Sequence, residues 1–197
     1  ALNVTPEYLA QINLLQRNRI PPASADVSLL MERALGKIAF LPFAISLDQW
    51  RWQVFDGRTT PEEYNADWWA IRLGNQGIAP PNERPSDAFD PGAKYHIANN
   101  VPYLRYFLSY VLQFQFYEAA CRQAGWEGPL HRCTVYGNRE VGERFNAMME
   151  MGASRPWPDA LEAFTGTRQM DGSSMVRYFQ PLMSYLQEQN RTEECGW

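Results

Sequence analysis

Histidine is nearly absent from this chain. Only His96 and His131 occur among 197 residues. Two such distant imidazoles cannot form an H-E-x-x-H zinc motif, and no group of Cys and His has metal-ligand spacing. A G-x-S-x-G nucleophile turn and a glycine-rich phosphate loop are also missing. Charge of one sign never accumulates: 18 Lys and Arg stand against 22 Asp and Glu, a net charge of -4. With no basic cluster, a nucleic-acid partner is not expected. No apolar run approaches the roughly 20 residues of a membrane-spanning helix. The opening stretch Ala1 to Pro6 lacks the basic and apolar regions of a signal peptide, and the polar ending Glu193 to Trp197 holds no membrane anchor. Cysteine is limited to Cys121, Cys133 and Cys195, an odd count that leaves one free or intermolecular. Alternating strand patterns and internal repeats are lacking too.

What abounds is the aromatic ring. Phe, Trp and Tyr make up 14% of a chain that is 45% hydrophobic. Each ring buries a large area, so a dense helical core or a ring-lined cleft is expected. Thr5-Pro6-Glu7 offers an N-cap, a first-turn proline and an acid at the positive helix end, and this helix should run to about Gln16. A proline-containing loop from Asn18 to Ala25 leads to Asp26, read as the cap of a long helix. That helix should reach about Phe55, kink at Pro42 and close at Gly57. Leu30, Ala34, Leu41, Ile45 and Trp52 recur in it at helical spacing among apolar neighbours, the pattern of a helix buried on most sides. Thr60-Pro61-Glu62-Glu63 starts another helix that ends before Gly77. From Gly77 to Asn100, prolines without helical period predict a long ordered loop, a kind of segment that usually carries function. Asn100 and Pro102 open a helix to Gly125, and Asn138 opens one ending near Gly152. A short one spans Pro158 to Phe164, and Asp171 caps a last helix to about Asn190. The predicted class is all-α, with residues 1–197 forming one domain or part of one.

Three constellations have chemical potential. Lys94-Tyr95-His96 sits at the end of the long loop, where a lysine suits an anion and an imidazole suits a developing oxyanion. It fits equally a surface lysine beside a packed histidine. Tyr103, Tyr106 and Tyr110 share one face of the Asn100 helix, with Arg105 pointing elsewhere on the same turn. Three phenols suit a wet cleft wall, and they suit a packed core as well. Trp68 and Arg72 stand one turn apart, so indole and guanidinium meet, either as a small anion pocket with Trp69 or as a surface cation–π pair. Cys121 and Cys133 close a short loop either as a disulfide or as two buried thiols. Asn3-Val4-Thr5 and Asn190-Arg191-Thr192 match the N-glycosylation triplet, which also arises by chance.

Longer blocks carry a resemblance. They are Lys37-Ile38-Ala39-Phe40-Leu41-Pro42-Phe43, Asp48-Gln49-Trp50-Arg51-Trp52, Phe89 through Ile97, Val101 through Phe107, Gln113-Phe114-Gln115-Phe116, Gly128-Pro129-Leu130-His131 and Ser154-Arg155-Pro156-Trp157-Pro158. In order and content they resemble the last third of the angiotensin-converting enzyme family of zinc peptidyl-dipeptidases. The resemblance implies a mostly helical, two-lobed ellipsoid with a deep central cleft. It implies that the zinc ligands lie in an N-terminal portion of the same enzyme, preceding Ala1, so that this chain alone is inactive. By the same resemblance Lys94 and Tyr103 grip the C-terminal carboxylate of a peptide substrate, and His96 bonds the substrate backbone beside the scissile bond. Tyr106 donates to the oxyanion, and Tyr110 stands in the cleft wall where the family often has Phe. Trp68 and Arg72 match one chloride site and Arg105 another. Cys121 and Cys133 match a family disulfide, and Cys195 matches no family role. A disulfide with sequons points to an extracellular or periplasmic enzyme. A different outcome is a non-catalytic peptide-binding or interaction module derived from the same fold.

Overall fold

A computed structural model describes residues 2 and 4–194. The first sequon asparagine, Asn3, and the third cysteine, Cys195, lie outside the described residues. Among those described, every regular element is helical, and the chain is all-α. The nine α-helices are α1 (Pro6–Gln11), α2 (Asp26–Lys37), α3 (Phe40–Phe55), α4 (Tyr64–Gln76), α5 (Tyr95–Ala98), α6 (Leu104–Gln123), α7 (Arg139–Glu150), α8 (Trp157–Thr165) and α9 (Ser173–Gln189). Contacts divide the described residues into two compact units, 2–32 with 111–194 and 33–110.

Local caps fix several boundaries as the sequence predicts. Thr5 accepts from Tyr8 N at 3.1 Å, and Asn138 accepts from Val141 N at 3.0 Å. Thr60 and Glu63 form a reciprocal capping box ahead of α4, and Gly77 ends that helix with φ 65°. The last helix differs: its N-cap position is Gly172, and Asp171 stands one residue outside it, accepting from Ser173 N at 3.0 Å.

Other boundaries differ for physical reasons. The first helix stops at Gln11 rather than Gln16, because Asn13 takes a left-handed φ of 61°. The long helix expected from Asp26 to Phe55 is two helices, broken at Ile38 and Ala39 rather than kinked at Pro42. Proline has no N–H to give to the carbonyl four residues back, and its ring crowds that carbonyl. That carbonyl belongs to Ile38, where α2 has already ended, and Pro42 falls in the first turn of α3, where it is tolerated. Asp26 is not a cap. It is the first residue of α2, and its carboxylate is taken by His131 and Arg132. The long loop is not wholly irregular, for it holds a 3-10 turn at Asp90–Ala93 and then α5.

In the unit of 33–110, Ala44, Leu47, Trp50, Trp68 and Tyr103 form a buried core with Phe40, Phe43 and Trp69 packed against it. Burying each large apolar side chain contributes about 1.5–3 kcal/mol. Trp50 Nε1 donates to Tyr64 O at 2.9 Å, which satisfies the one polar atom of a buried indole. In the other unit, Ala119, Ala120, Val141, Met148 and Phe164 form the core. There Cys121 and Cys133 are joined by a disulfide, and Tyr117 OH donates to Cys133 O at 2.6 Å.

Candidate functional site

The site is built in the unit of 33–110 by three devices. The first is the turn that ends the long loop. Asp90 draws it onto α4: its carboxylate accepts from Trp69 Nε1 at 2.8 Å, Asn65 Nδ2 at 3.1 Å and Arg84 Nε at 2.8 Å, with a further short contact to Arg84 Nη2. The Arg84 hydrogen bonds, helped by those of Trp69 and Asn65, hold the Asp90 carboxyl down to about 2 against the opposing effect of burial. Lys94 and His96 follow directly, on and beside α5.

The second device is the start of α6. Tyr103 precedes the helix rather than lying on it, and it is buried at 5% exposure. Its ring meets His96 at 4.7 Å and Tyr106 at 4.8 Å between centroids. Tyr106 is 36% exposed, and its hydroxyl shares a hydrogen bond of 3.3 Å with His96 Nε2. Lys94 Nζ stands over the Tyr103 ring at 5.1 Å and the Phe43 ring at 5.4 Å. Lys94, His96, Tyr103 and Tyr106 are therefore brought together. Tyr110 lies one step aside, 4.5 Å from the Phe40 ring and beneath Lys37 Nζ at 4.5 Å. Arg105 does not point away, as the helical wheel predicts. Its guanidinium lies over the Tyr106 ring at 5.7 Å, and its Nε donates to Pro102 O at 3.1 Å.

The third device is the Trp68–Arg72 pair on α4. The guanidinium lies 5.3 Å from Trp68, 5.8 Å from Trp69 and 5.1 Å from Phe43. Its Nε is buried and without a hydrogen-bond partner. Burial lowers the Arg72 pKa, as expected for a cation held among rings.

The electrostatics of the cluster favour a neutral imidazole. Burial lowers the His96 pKa below 6.5, the positive charges of Lys94, Arg105 and Arg51 lower it further, and Asp48 opposes them. His96 Nδ1 is buried and unpartnered. Burial raises the Tyr103 phenol above its usual value, with Tyr106 and Tyr110 adding to the effect. Among the described residues, no three His, Cys, Asp or Glu gather closely enough to hold a metal ion. These side chains do not fit zinc by themselves.

Residue-by-residue reading of the sequence passes over Asp48 and Arg51. Asp48 Oδ2 accepts from Tyr103 N at 2.8 Å and Leu104 N at 2.5 Å, so the cap of α6 comes from α3 and not from Asn100. Arg51 donates to Val101 O at 2.8 Å and His96 O at 3.1 Å. The available signal is two opposite charges one turn apart in an apolar helix, since charged groups are almost never fully buried unless paired.

Comparison with known proteins adds the lineage. The pattern of the angiotensin-converting enzyme family matches residues 1–197. The angiotensin-converting enzyme of Mesocricetus auratus is 49% identical over 200 residues, covering 100% of this chain and 15% of that protein. The namesake from Theromyzon tessulatum is 42% identical over 190 residues, 96% of this chain and 31% of that protein. The one from Haematobia irritans exigua is 44% identical over 189 residues, 93% of this chain and 31% of that protein. The chain thus spans between 15% and 31% of the length of these relatives. Matched from end to end by the family pattern, the chain belongs to the angiotensin-converting enzyme family.

Proposed function

We propose that this chain supplies the substrate-facing side of a zinc peptidyl-dipeptidase, which releases dipeptides from the C-termini of oligopeptides. The gathering of Lys94, Tyr103, His96 and Tyr106 carries this reading. Lys94 rests on two rings and pairs with no carboxylate among the described residues. A substrate carboxylate brings the missing negative charge. An ammonium is a compact cation with three donors, and the Tyr103 hydroxyl adds another. Gripping the chain end sets which peptide bond reaches the reacting centre, and a grip two residues away yields a dipeptide.

His96 and Tyr106 address the bond itself. With Nδ1 unprotonated, His96 Nε2–H donates to the Tyr106 oxygen and leaves the phenol proton free. That proton then meets the carbonyl oxygen as negative charge develops, the role of an oxyanion donor. Zinc and the general base are proposed to come from a portion of the polypeptide preceding Ala1. The part of the residues here ends at binding, orienting and donating hydrogen bonds. Arg72, with its unpartnered Nε beside Trp68, is proposed to hold a chloride ion, and Arg105 to face a second. An extracellular or periplasmic site of action is proposed, supported by the Cys121–Cys133 disulfide.

The test is Lys94→Ala in the complete enzyme, assayed with a blocked tripeptide and with its C-terminal amide. KM for the acid should rise about 10- to 100-fold while the amide changes little, as for a lost charge-assisted contact. An unchanged KM for the acid overturns the grip. Peptide binding without hydrolysis, indifferent to a chelator, would instead mark a non-catalytic binding module.

A further inference from the structure

The groups proposed to act on the scissile bond sit on separate elements, His96 on α5 and Tyr106 in the first turn of α6. Their 3.3 Å contact depends on the connection between them, residues 97–103. That connection is conformationally costly. Asn100 takes a left-handed φ of 50°, outside the region most side chains prefer. Around Asn100 itself, Val101 N donates to His96 O at 2.8 Å and Asn100 N to Ile97 O at 3.1 Å. The residues just before α6, Val101, Pro102 and Tyr103, are not among the usual N-cap types.

One turn of α3 compensates for all of this. Asp48 and Arg51 are 4% and 6% exposed and form an ion pair of 3.4 Å. The carboxylate holds Leu104 N, the first donor of α6, and Tyr103 N just before it, and the guanidinium holds the carbonyls of His96 and Val101. All four bonds run to backbone between 96 and 104. A buried ion pair is a poor device for stability alone, because well-packed apolar residues often serve as well or better. Geometry is what this pair supplies.

We infer that Asp48 and Arg51 are positioning residues that set His96 against Tyr106 by fixing the backbone on both sides of the turn. The inference rests on the reading of Tyr106 as the oxyanion donor. The polar partners of Arg51 among the described residues are Asp48, His96 O and Val101 O, not Lys94, which follows the Asp90 turn. Displacing the His96 side of the pair should therefore lower kcat with little change in KM. Misplacement by about 1 Å can lower a rate about 100-fold.

A double-mutant cycle in the complete enzyme separates the possibilities. Arg51→Lys keeps the charge but loses the two-pronged grip, and it should lower kcat about 10- to 100-fold with KM within about twofold. In a Tyr106→Phe background the same change should cost less than about threefold, because the group being positioned is already gone. Asp48→Asn, nearly isosteric, serves as the second entry to the cycle. Thermal melts of each variant accompany the kinetics. Equal losses from Arg51→Lys in both backgrounds overturn the inference, as does an unchanged kcat. If both Arg51→Lys and Asp48→Asn abolish folding, the pair is a structural support and the inference also fails. If Tyr106→Phe itself leaves kcat unchanged, the functional reading beneath it is what fails.

Discussion

The two histidines stand in opposite conditions. In the unit of 2–32 with 111–194, His131 is 1% exposed and meets Asp26 at 2.9 Å. Its neighbour Arg132 donates to Asp26 at 2.9 Å, to Glu7 at 2.7 Å and to Pro21 O at 2.9 Å. Arg177 there is bonded to Glu118, and Arg168 to Glu162. In the unit of 33–110, His96 meets a phenol with one nitrogen and nothing with the other, while Lys94 and Arg72 rest on rings. Buried polar groups in folded proteins are nearly always paired. A charge completed by its own chain holds structure, and one left incomplete is open to a ligand. Glu7 and Gln123 mark the limit of this contrast. Each has a buried unpartnered oxygen in the first unit, but each is already held through its other polar atom.

The contrast can be broken most sharply at Tyr106. In the complete enzyme, Tyr106→Phe should lower kcat about 100- to 1000-fold and leave the melting temperature nearly unmoved. A loss of Tm with unchanged turnover would place Tyr106 among the structural residues instead. The counterpart is the disulfide of the other unit. Replacing Cys121 and Cys133 by Ser should cost about 3 kcal/mol of stability for a loop with a sequence separation of 12, with turnover per folded molecule retained. Denaturant titration beside active-site titration reads both quantities.

The smallest effect concerns acid. Burial pushes the Asp26 carboxyl up, but hydrogen bonds from Arg132 and His131, with their charges, hold it net below 3.8. A carboxyl lowered on folding contributes stability that is present above its unfolded pKa. Tm should therefore fall as pH drops from 3.8 through the lowered value of Asp26, and Asp26→Asn should flatten that slope. The His96 pKa is lowered as well, and there the form retained is the neutral imidazole rather than a charge. An acid limb of kcat/KM governed by His96 should lie below pH 6.5, and Lys94→Ala should move it upward by removing a nearby positive charge. A limb that ignores Lys94 would detach His96 from the cluster.

How much of this was legible in the sequence follows from where each signal lies. Helix starts that carry their own cap, at Thr5, Thr60 and Asn138, could be read directly. So could the stop at Gly77, since glycine accepts the left-handed turn at little cost. The start of α6 could not, because its cap is Asp48, far away along the chain. Asp26 looked like a cap for the same reason in reverse, as its partners lie at 131 and 132. Of the candidate site, the stretch from Lys94 to Tyr106 was visible as a resemblance. Residue types alone left each part of it open to a plain structural role. Their convergence depends on the α3 side chains and on the left-handed Asn100, neither of which helical spacing reveals.

The Asp90 turn has one more consequence, for digestion. Proteases cut chain that can peel away from its domain. Residues 77–93 have the length that invites such nicking. Peeling them off, however, means parting Asp90 from Trp69 and Asn65 together, while Arg84 within the segment stays paired with it. A carboxyl held down to about 2 stays ionised throughout the neutral range, so protonation does not undo the tie there. The segment that delivers Lys94 is thus fastened against the very class of enzyme that peptides in solution attract.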